Sequence, residues 1–128
     1  MQLNSDCVRD TLLAIEEAGF YETLKFNELC EKLPQYNFED IWYTCLKLKE
    51  GGYLDVLTLE TLNCPKPQIA RIKDITFQGH EFLNSVRGET NWEKTKDIAK
   101  KTGAFSLKAL SSIAQGVVTA AINSQFQF

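Results

Sequence analysis

The 128-residue sequence contains no apolar run that approaches the roughly 20 residues required for a membrane-spanning helix. Its first residues lack the basic and apolar regions of a signal peptide, so we expect a cytoplasmic protein with no membrane association. Internal repeats and low-complexity tracts are also absent from the sequence. The length is that of one domain, or of one domain with a helical appendage.

The sequence is also poor in the patterns that build catalytic and metal sites. Its one histidine, His80, has no cysteine or aspartate partner at motif spacing, and its four cysteines form no C-x-x-C pair. No P-loop, dinucleotide fingerprint, nucleophile elbow or paired-carboxylate motif is present. We therefore predict a protein that is not an enzyme and has no metal or cofactor. Free thiols are the favoured interpretation of the cysteines, with a structural metal site or a disulfide as alternatives.

Charge is unevenly distributed along the chain, whose net charge is −3. Residues 1–68 contain six basic and twelve acidic side chains, a net charge of −6, whereas residues 69–128 contain eight and five, a net charge of +3. An acidic balance argues against a protein that bulk charge holds on nucleic acid. It leaves room for a local basic patch.

Capping residues and apolar periodicity predict two helices before the first proline. Asn4 or Ser5 begins the first helix, and Gly19 ends it in a left-handed conformation. Asn27 caps a short second helix, which Pro34 ends because the residue before a proline is pushed out of the helical region. The residues between these helices have the composition of a short edge strand.

A longer third helix follows a tight turn. Asn37 caps it, Glu39 and Asp40 lie in its first turn where the helix dipole favours acids, and a Gly-Gly pair ends it. A short helix, a tight turn and a longer helix form a helix-turn-helix arrangement.

Two segments rich in strand-forming residues, 53–59 and 69–75, predict a β-hairpin. The connecting residues 60–68 are predicted as a loop, or wing, because Pro65 and Pro67 prevent extension of the ladder. Thr76 then caps a further helix. The apolar face of that helix is predicted to contain Phe77, Phe82, Leu83 and Val86.

Two more helices are predicted at the C-terminus. A capping box over 90–93 opens the first, and Gly103 ends it. Ser106 caps the second, which reaches about Asn123, and the remaining residues have no predicted structure. The predicted fold class is mostly α with a small β-hairpin (α+β). A winged helix-turn-helix domain over 1–88 is followed by a C-terminal helical extension over 89–128.

Two segments resemble a known family. Residues 6–17, DCVRDTLLAIEE, and residues 75–83, ITFQGHEFL, are similar to a small uncharacterised family of bacterial and phage proteins. The similarity continues through Val86-Arg87 to Trp92 and Lys94-Thr95-Lys96, and it covers most of the chain. Members of that family are frequent in prophages and mobile elements and resemble winged-helix proteins. The resemblance therefore implies that fold and origin, and it carries over no activity and no catalytic residue.

Exposed polar residues of the third helix and the wing are the candidate contacts to DNA, since a helix-turn-helix protein reads base edges from the start of that helix. The candidate DNA-contacting residues are Asn37, Tyr43, Lys47, Lys66, Arg71 and Lys73. Glu39 and Asp40 would repel phosphates, so they either support the helix start or bind a protein partner. We interpret Trp42 and Trp92 as core anchors.

The final helix carries a broad apolar stripe that predicts dimerisation. Its candidate interface residues are Leu107, Leu110, Ile113, Ala114, Val117, Val118 and Ala121. The alternative is that this helix folds back on the chain's own winged helix. The sequence thus favours a phage or mobile-element transcriptional regulator that binds double-stranded DNA as a homodimer. The alternative is a winged-helix interaction module that engages or inhibits a host protein.

Overall fold

The computed structural model describes residues 1–126, which are mostly helical with one small antiparallel sheet. Within that range the chain forms six helices and three strands. Their bounds are α1 Ser5–Glu16, β1 Leu24–Lys25, α2 Phe26–Lys32, α3 Phe38–Glu50, β2 Leu54–Thr61, β3 Cys64–Ile75, α4 Phe77–Val86, α5 Glu89–Thr102 and α6 Leu107–Gln125. The predicted α+β class is confirmed. Gln127 and Phe128, at the end of the predicted C-terminal extension, lie outside the described residues.

The chain divides into two compact units, one formed by Met1–His80 and one that begins at Glu81. The sequence placed a boundary after Gly88, between a winged-helix domain and a helical extension, and that division stays a prediction. Across the part of the chain that the structure describes, every helix is too short or too polar to span a membrane.

The sheet of the first unit has the strand order β1-β3-β2, with antiparallel neighbours. Ile69, Ile72 and Ile75 of β3 are buried, although alternation would place core residues two apart. The spacing of three arises because Ala70 and Lys73 are extra residues where the register between β2 and β3 shifts. The bulges therefore keep all three isoleucines in the core.

Two predicted helix caps of the first unit are confirmed. Asn4 Oδ1 accepts a hydrogen bond from the Cys7 amide at 3.2 Å, and Asn37 Oδ1 accepts one from the Asp40 amide at 2.9 Å. Each side chain satisfies one of the amide groups that the first helical turn leaves without a partner.

Two other predicted helix ends are wrong. Gly19 does not have a left-handed conformation, because α1 already ends at Glu16 and positive φ angles occur among the described residues only at Gly52 and Gly103. Asn27 does not cap α2, which begins at Phe26. Phe26 is buried directly after β1, so the burial of this ring outweighs the capping preference of Asn27.

The predicted wing loop is also shorter than expected, since β3 begins at Cys64 and includes Pro65 and Pro67. Thr61 and Cys64 pair with each other, and the two residues between them form the hairpin turn. A register shift between Leu59 and Thr61 leaves both prolines outside the paired positions. Prolines are tolerated at such irregular positions because no ladder hydrogen bond is required of them.

Thr76 begins α4 as predicted and also ties it to the preceding chain. Its Oγ1 accepts from the Gly79 amide at 3.1 Å and donates to the Gly52 carbonyl at 2.6 Å. A Cβ atom on Gly79 would overlap the Tyr53 carbonyl oxygen and lie 2.6 Å from Cγ2 of Ile75. This close approach of α4 to the backbone requires glycine.

The predicted apolar face of α4 is correct except at its first residue. Phe82, Leu83 and Val86 are buried, but Phe77 is 78% exposed. In the first turn of α4, Gly79 is buried against Tyr53 and Ile75. Phe77 therefore lies on the exposed side of the helix.

In the second unit, the capping box predicted over 90–93 is wrong. Helix α5 begins at Glu89 after Gly88, and no side chain caps it. Gly103 ends α5 with a φ of 71°, as predicted. Ser106 caps α6 as predicted, since its side chain accepts from the Ala109 amide at 3.1 Å. The helix continues to Gln125, two residues beyond the predicted end.

Candidate nucleic-acid interface

The third helix and the hairpin are joined at Trp42. Its indole Nε1 donates to the carbonyl oxygen of Pro67 at 2.9 Å. The Lys66 ammonium lies 5.5 Å from the centre of the same ring, within the range of a cation–π interaction. Trp42 is half-buried, whereas the sequence predicted a core anchor. Its hydrogen bond to Pro67 fixes the hairpin to α3. No local pattern predicts this role, because the hydrogen-bond partner is 25 residues away.

Tyr43 and Lys47 form a second pair of an aromatic ring and an ammonium group on α3. The Lys47 ammonium lies 5.3 Å from the centre of the Tyr43 ring, and it forms an ion pair with Glu50 at 2.9 Å. The hydrogen bond to the Glu50 carboxylate raises the pKa of Lys47, so this side chain stays charged. We define the α3–hairpin surface as Trp42, Tyr43, Lys47 and Lys66.

The start of α3 is acidic. Glu39 is exposed and Asp40 is half-buried, and both lie in the first helical turn. The Asn37 side-chain oxygen already accepts the capping hydrogen bond, so the side-chain nitrogen is the group of Asn37 that could contact DNA. The structure therefore gives Asn37 a capping function, and it leaves two carboxylates beside the position from which a recognition helix would approach DNA.

Arg71 and Lys73 lie outside the α3–hairpin surface. Both are exposed, and Arg71 points away from the side of β3 on which Ile72 is buried. Arg71 is opposite Lys25 of β1 in the ladder, so two basic residues adjoin on the outer face of the sheet. The structure thus brings Tyr43 together with Lys47, and Lys66 together with Trp42. Asn37 caps α3 instead, and Arg71 lies opposite Lys25 in the ladder.

The predicted dimerisation residues fall into classes of different exposure. Leu110, Ala114 and Val117 are buried, Ala121 is exposed, and the half-buried members are Leu107, Ile113 and Val118. Trp92, predicted as a core anchor, is buried in the same unit. The buried part of the stripe therefore supplies the core of the second unit.

A groove of about 580 Å³ lies between α5 and α6. Apolar and small side chains dominate its lining, and Lys94 and Asp97 are its charged residues. Four small residues follow one another at helical spacing along the α6 side, and we call them the small-residue row: Ser112, Gly116, Ala120 and Ser124. A Cβ atom on Gly116 would meet no atom within 4 Å, so this face is open. The row is visible in the sequence as a four-residue repeat of small side chains, but the apolar stripe beside it is the stronger signal.

All four cysteines are free thiols. Cys7 and Cys45 are buried, and Cys30 and Cys64 are half-buried. Burial raises the pKa of Cys7, Cys30 and Cys45, which favours the neutral thiol over the nucleophilic thiolate. Among residues 1–126 no group of three or more His, Cys, Asp or Glu side chains is arranged to hold a metal ion.

Comparisons with known proteins relate this chain to an uncharacterised family. The family described as "Hypothetical protein (DUF2513)" matches residues 2–105. An uncharacterized protein of Haemophilus influenzae is 28% identical over 120 residues, which cover 93% of this chain and 97% of that protein. No solved structure matches the chain. Because the family match spans most of the sequence, the chain belongs to the DUF2513 family.

Proposed function

We propose that this protein is a non-enzymatic winged-helix regulator of a phage or mobile element, which binds double-stranded DNA in the cytoplasm. One observation carries the proposal. The element order α1-β1-α2-α3-β2-β3, with the sheet order β1-β3-β2, supports the proposal because it fits a helix-turn-helix followed by a wing. The step from this fold to DNA binding is an argument by analogy, so the contact surface must support it independently.

The α3–hairpin surface supplies that support. Lys47 and Lys66 each lie over an aromatic ring of α3, and the Trp42–Pro67 hydrogen bond fixes the hairpin beside the helix. Two ammonium groups held in this way can contact phosphates on both sides of a groove that the helix enters. The ion pair with Glu50 competes for Lys47, so we expect Lys66 to contribute more.

The experiment is a titration of duplex DNA at low salt, followed by fluorescence anisotropy. Lys66→Ala and Lys47→Ala should each weaken binding to all sequences and reduce the salt slope by about 1. Arg71→Ala is the matched control, because Arg71 is equally basic but lies on the outer face of the sheet. Equal losses in the Arg71 and Lys66 variants would contradict the assignment of this surface.

We further propose that the protein binds DNA as a dimer through the groove of the second unit, and that a second copy of α6 occupies the groove. Small residues allow the backbones of two helices to approach closely. The small-residue row spans about 18 Å, enough for several helical turns. A two-fold axis can bring Lys94 of one copy opposite Asp97 of the other, where it would share that carboxylate with Lys101, which pairs with Asp97 at 3.2 Å.

Sedimentation equilibrium tests this dimer. Ala120→Glu places a charge in the groove and should give a monomer, whereas Gln115→Glu changes an exposed residue of α6 that does not line the groove and should leave a dimer. A wild-type protein that is monomeric at every concentration would refute the dimer.

The second candidate function is a protein-interaction module that engages or inhibits a host protein. The acidic start of α3 favours it, since Glu39 and Asp40 lie where DNA-binding helices usually carry basic side chains. Phe38, beside them, is also exposed and could anchor a partner. Recovery of a specific host protein, lost on charge reversal of Glu39 and Asp40, would support this function, and recovery of the same protein by the reversed variant would oppose it.

A further inference from the structure

A tight turn in the first unit presents two aromatic rings to solvent. In residues 19–22 the Glu22 amide donates to the Gly19 carbonyl at 3.0 Å, and the Gly19 amide donates to the Glu22 carboxylate at 3.2 Å. Phe20 and Tyr21, between them, are 93% and 95% exposed. Their ring centres are 4.9 Å apart in an edge-to-face arrangement. We call these four residues the aromatic turn.

Such exposure is unusual for two adjacent aromatic residues. Burial of a phenylalanine side chain stabilises a folded protein, and Phe20 here forgoes that contribution. The two hydrogen bonds between Gly19 and Glu22 hold the turn in a defined shape, so the rings are presented from an ordered backbone. Exposed, pre-organised aromatic side chains are typical anchors of protein interfaces.

A cleft of about 240 Å³ adjoins the aromatic turn, and Phe20 and Glu22 contribute to its lining. The β1–β3 ladder borders the cleft, because Leu24 and its partner Ile72 both contribute to the lining. Its apolar wall includes Ile15, Leu24, Ile72 and Ile75. An apolar side chain of a partner could therefore be buried beside the aromatic rings.

The surroundings of the cleft are acidic. Its lining contains the carboxylates of Glu16, Glu22 and Asp74 and one ammonium group, that of Lys73, so the charged lining residues carry a net −2 with His80 neutral. Glu17, which is exposed at the end of α1, adds a further carboxylate near the turn. A nucleic acid or an acidic peptide would be repelled here, whereas a basic segment would be attracted.

We propose that the aromatic turn and the cleft form a docking site for a protein segment that carries arginine or lysine beside an apolar residue. The guanidinium or ammonium group lies over Phe20 or Tyr21 and pairs with the surrounding carboxylates, as cations do on aromatic faces. The apolar neighbour enters the cleft. This site is separate from the α3–hairpin surface and does not depend on DNA binding.

The test is an NMR titration of the ¹⁵N-labelled full chain with a short peptide of alternating arginine and leucine. Amide shifts should change at residues 19–22 and 72–75, and the same peptide with glutamate in place of arginine should cause no change. The Phe20→Ala/Tyr21→Ala double variant should bind at least about tenfold more weakly. Glu17→Lys should also weaken binding and reduce its salt dependence.

Phe105→Ala is the matched control, because it removes an exposed phenylalanine from the second unit and should leave the affinity unchanged. The double variant changes only exposed side chains, so its fold is expected to persist, and its spectrum checks this directly. Unchanged affinity in the double variant would overturn the proposal. Equal binding of the glutamate peptide, or shift changes at the aromatic turn on addition of duplex DNA, would overturn it too.

Discussion

Replacement of Gly79 by alanine should destabilise the first unit, although alanine is the better helix former. A Cβ atom at this position would overlap the Tyr53 carbonyl oxygen and approach Cγ2 of Ile75 to 2.6 Å. The carbonyl cannot withdraw freely, because it accepts a hydrogen bond from the Thr76 amide at 3.1 Å. The Thr76 hydroxyl holds the same region through its 2.6 Å hydrogen bond to Gly52.

The magnitude follows from opposing contributions. Overpacking typically costs about 1–3 kcal/mol, and loss of a backbone hydrogen bond adds about 1 kcal/mol. Alanine offsets about 1 kcal/mol of this through its helix propensity. We therefore expect Gly79→Ala to lower the free energy of unfolding by about 1–3 kcal/mol and the Tm by on the order of 5–10 °C.

The assay is thermal and urea unfolding followed by circular dichroism at low protein concentration. Gly116→Ala is the control of opposite sign, since Gly116 is also inside a helix but has open space around it, and it should gain about 0.5–1 kcal/mol. A Gly79→Ala protein as stable as the wild type would refute the close approach of α4 to the Tyr53 backbone.

Two further predictions concern the half-buried Tyr36 and two buried cysteines of the first unit. Tyr36 donates to Asp10 at 2.6 Å, and burial together with this hydrogen bond raises the pKa of Tyr36 above its ordinary value of 10.0. The free energy of unfolding should therefore be constant below pH 10 and fall as the pH rises beyond it. Tyr36→Phe should lower the free energy of unfolding by about 1 kcal/mol at neutral pH. In urea titrations, the same variant should show a smaller loss of stability at alkaline pH. Cys7 and Cys45 are buried with raised pKa values, so mass spectrometry should find them alkylated by iodoacetamide only after denaturant is added; labelling in the native protein would show that this core opens.

The sequence predicts features whose causes are local. Asn4, Asn37, Thr76 and Ser106 each cap a helix through a hydrogen bond to an amide three residues later, so both partners lie within one short window. Gly103 likewise ends α5 through its own backbone conformation. The α+β class follows from such elements taken together, because helix signals outnumber strand signals.

The predictions from sequence are wrong where contacts between residues distant in the sequence determine the local structure. Asn27 is a good cap by composition, but the burial of Phe26 beside the sheet starts α2 earlier. Pro65 and Pro67 suggest a loop, yet a register shift lets the strand include them. Trp42 has the composition of a core residue, and only its bond to Pro67 reveals that it fixes the hairpin.

The same distinction applies to the candidate site. Tyr43 and Lys47 are one helical turn apart, so the sequence alone places them on one face of α3. Lys66 reaches Trp42 of the same helix only through the folded hairpin, whereas Arg71 lies opposite Lys25 in the ladder. No local pattern distinguishes these two basic residues.

The central claim is that the α3–hairpin surface binds duplex DNA. The most direct measurement is a titration of the wild-type protein with random-sequence duplex DNA across a range of salt concentrations, with the protein mass determined in parallel. Contacts from Lys47 and Lys66 predict binding at low salt with a slope of log K against log salt of about −2 for each protomer, or about −4 for a dimer. Absence of binding at every salt concentration would contradict the claim and direct the search to protein partners.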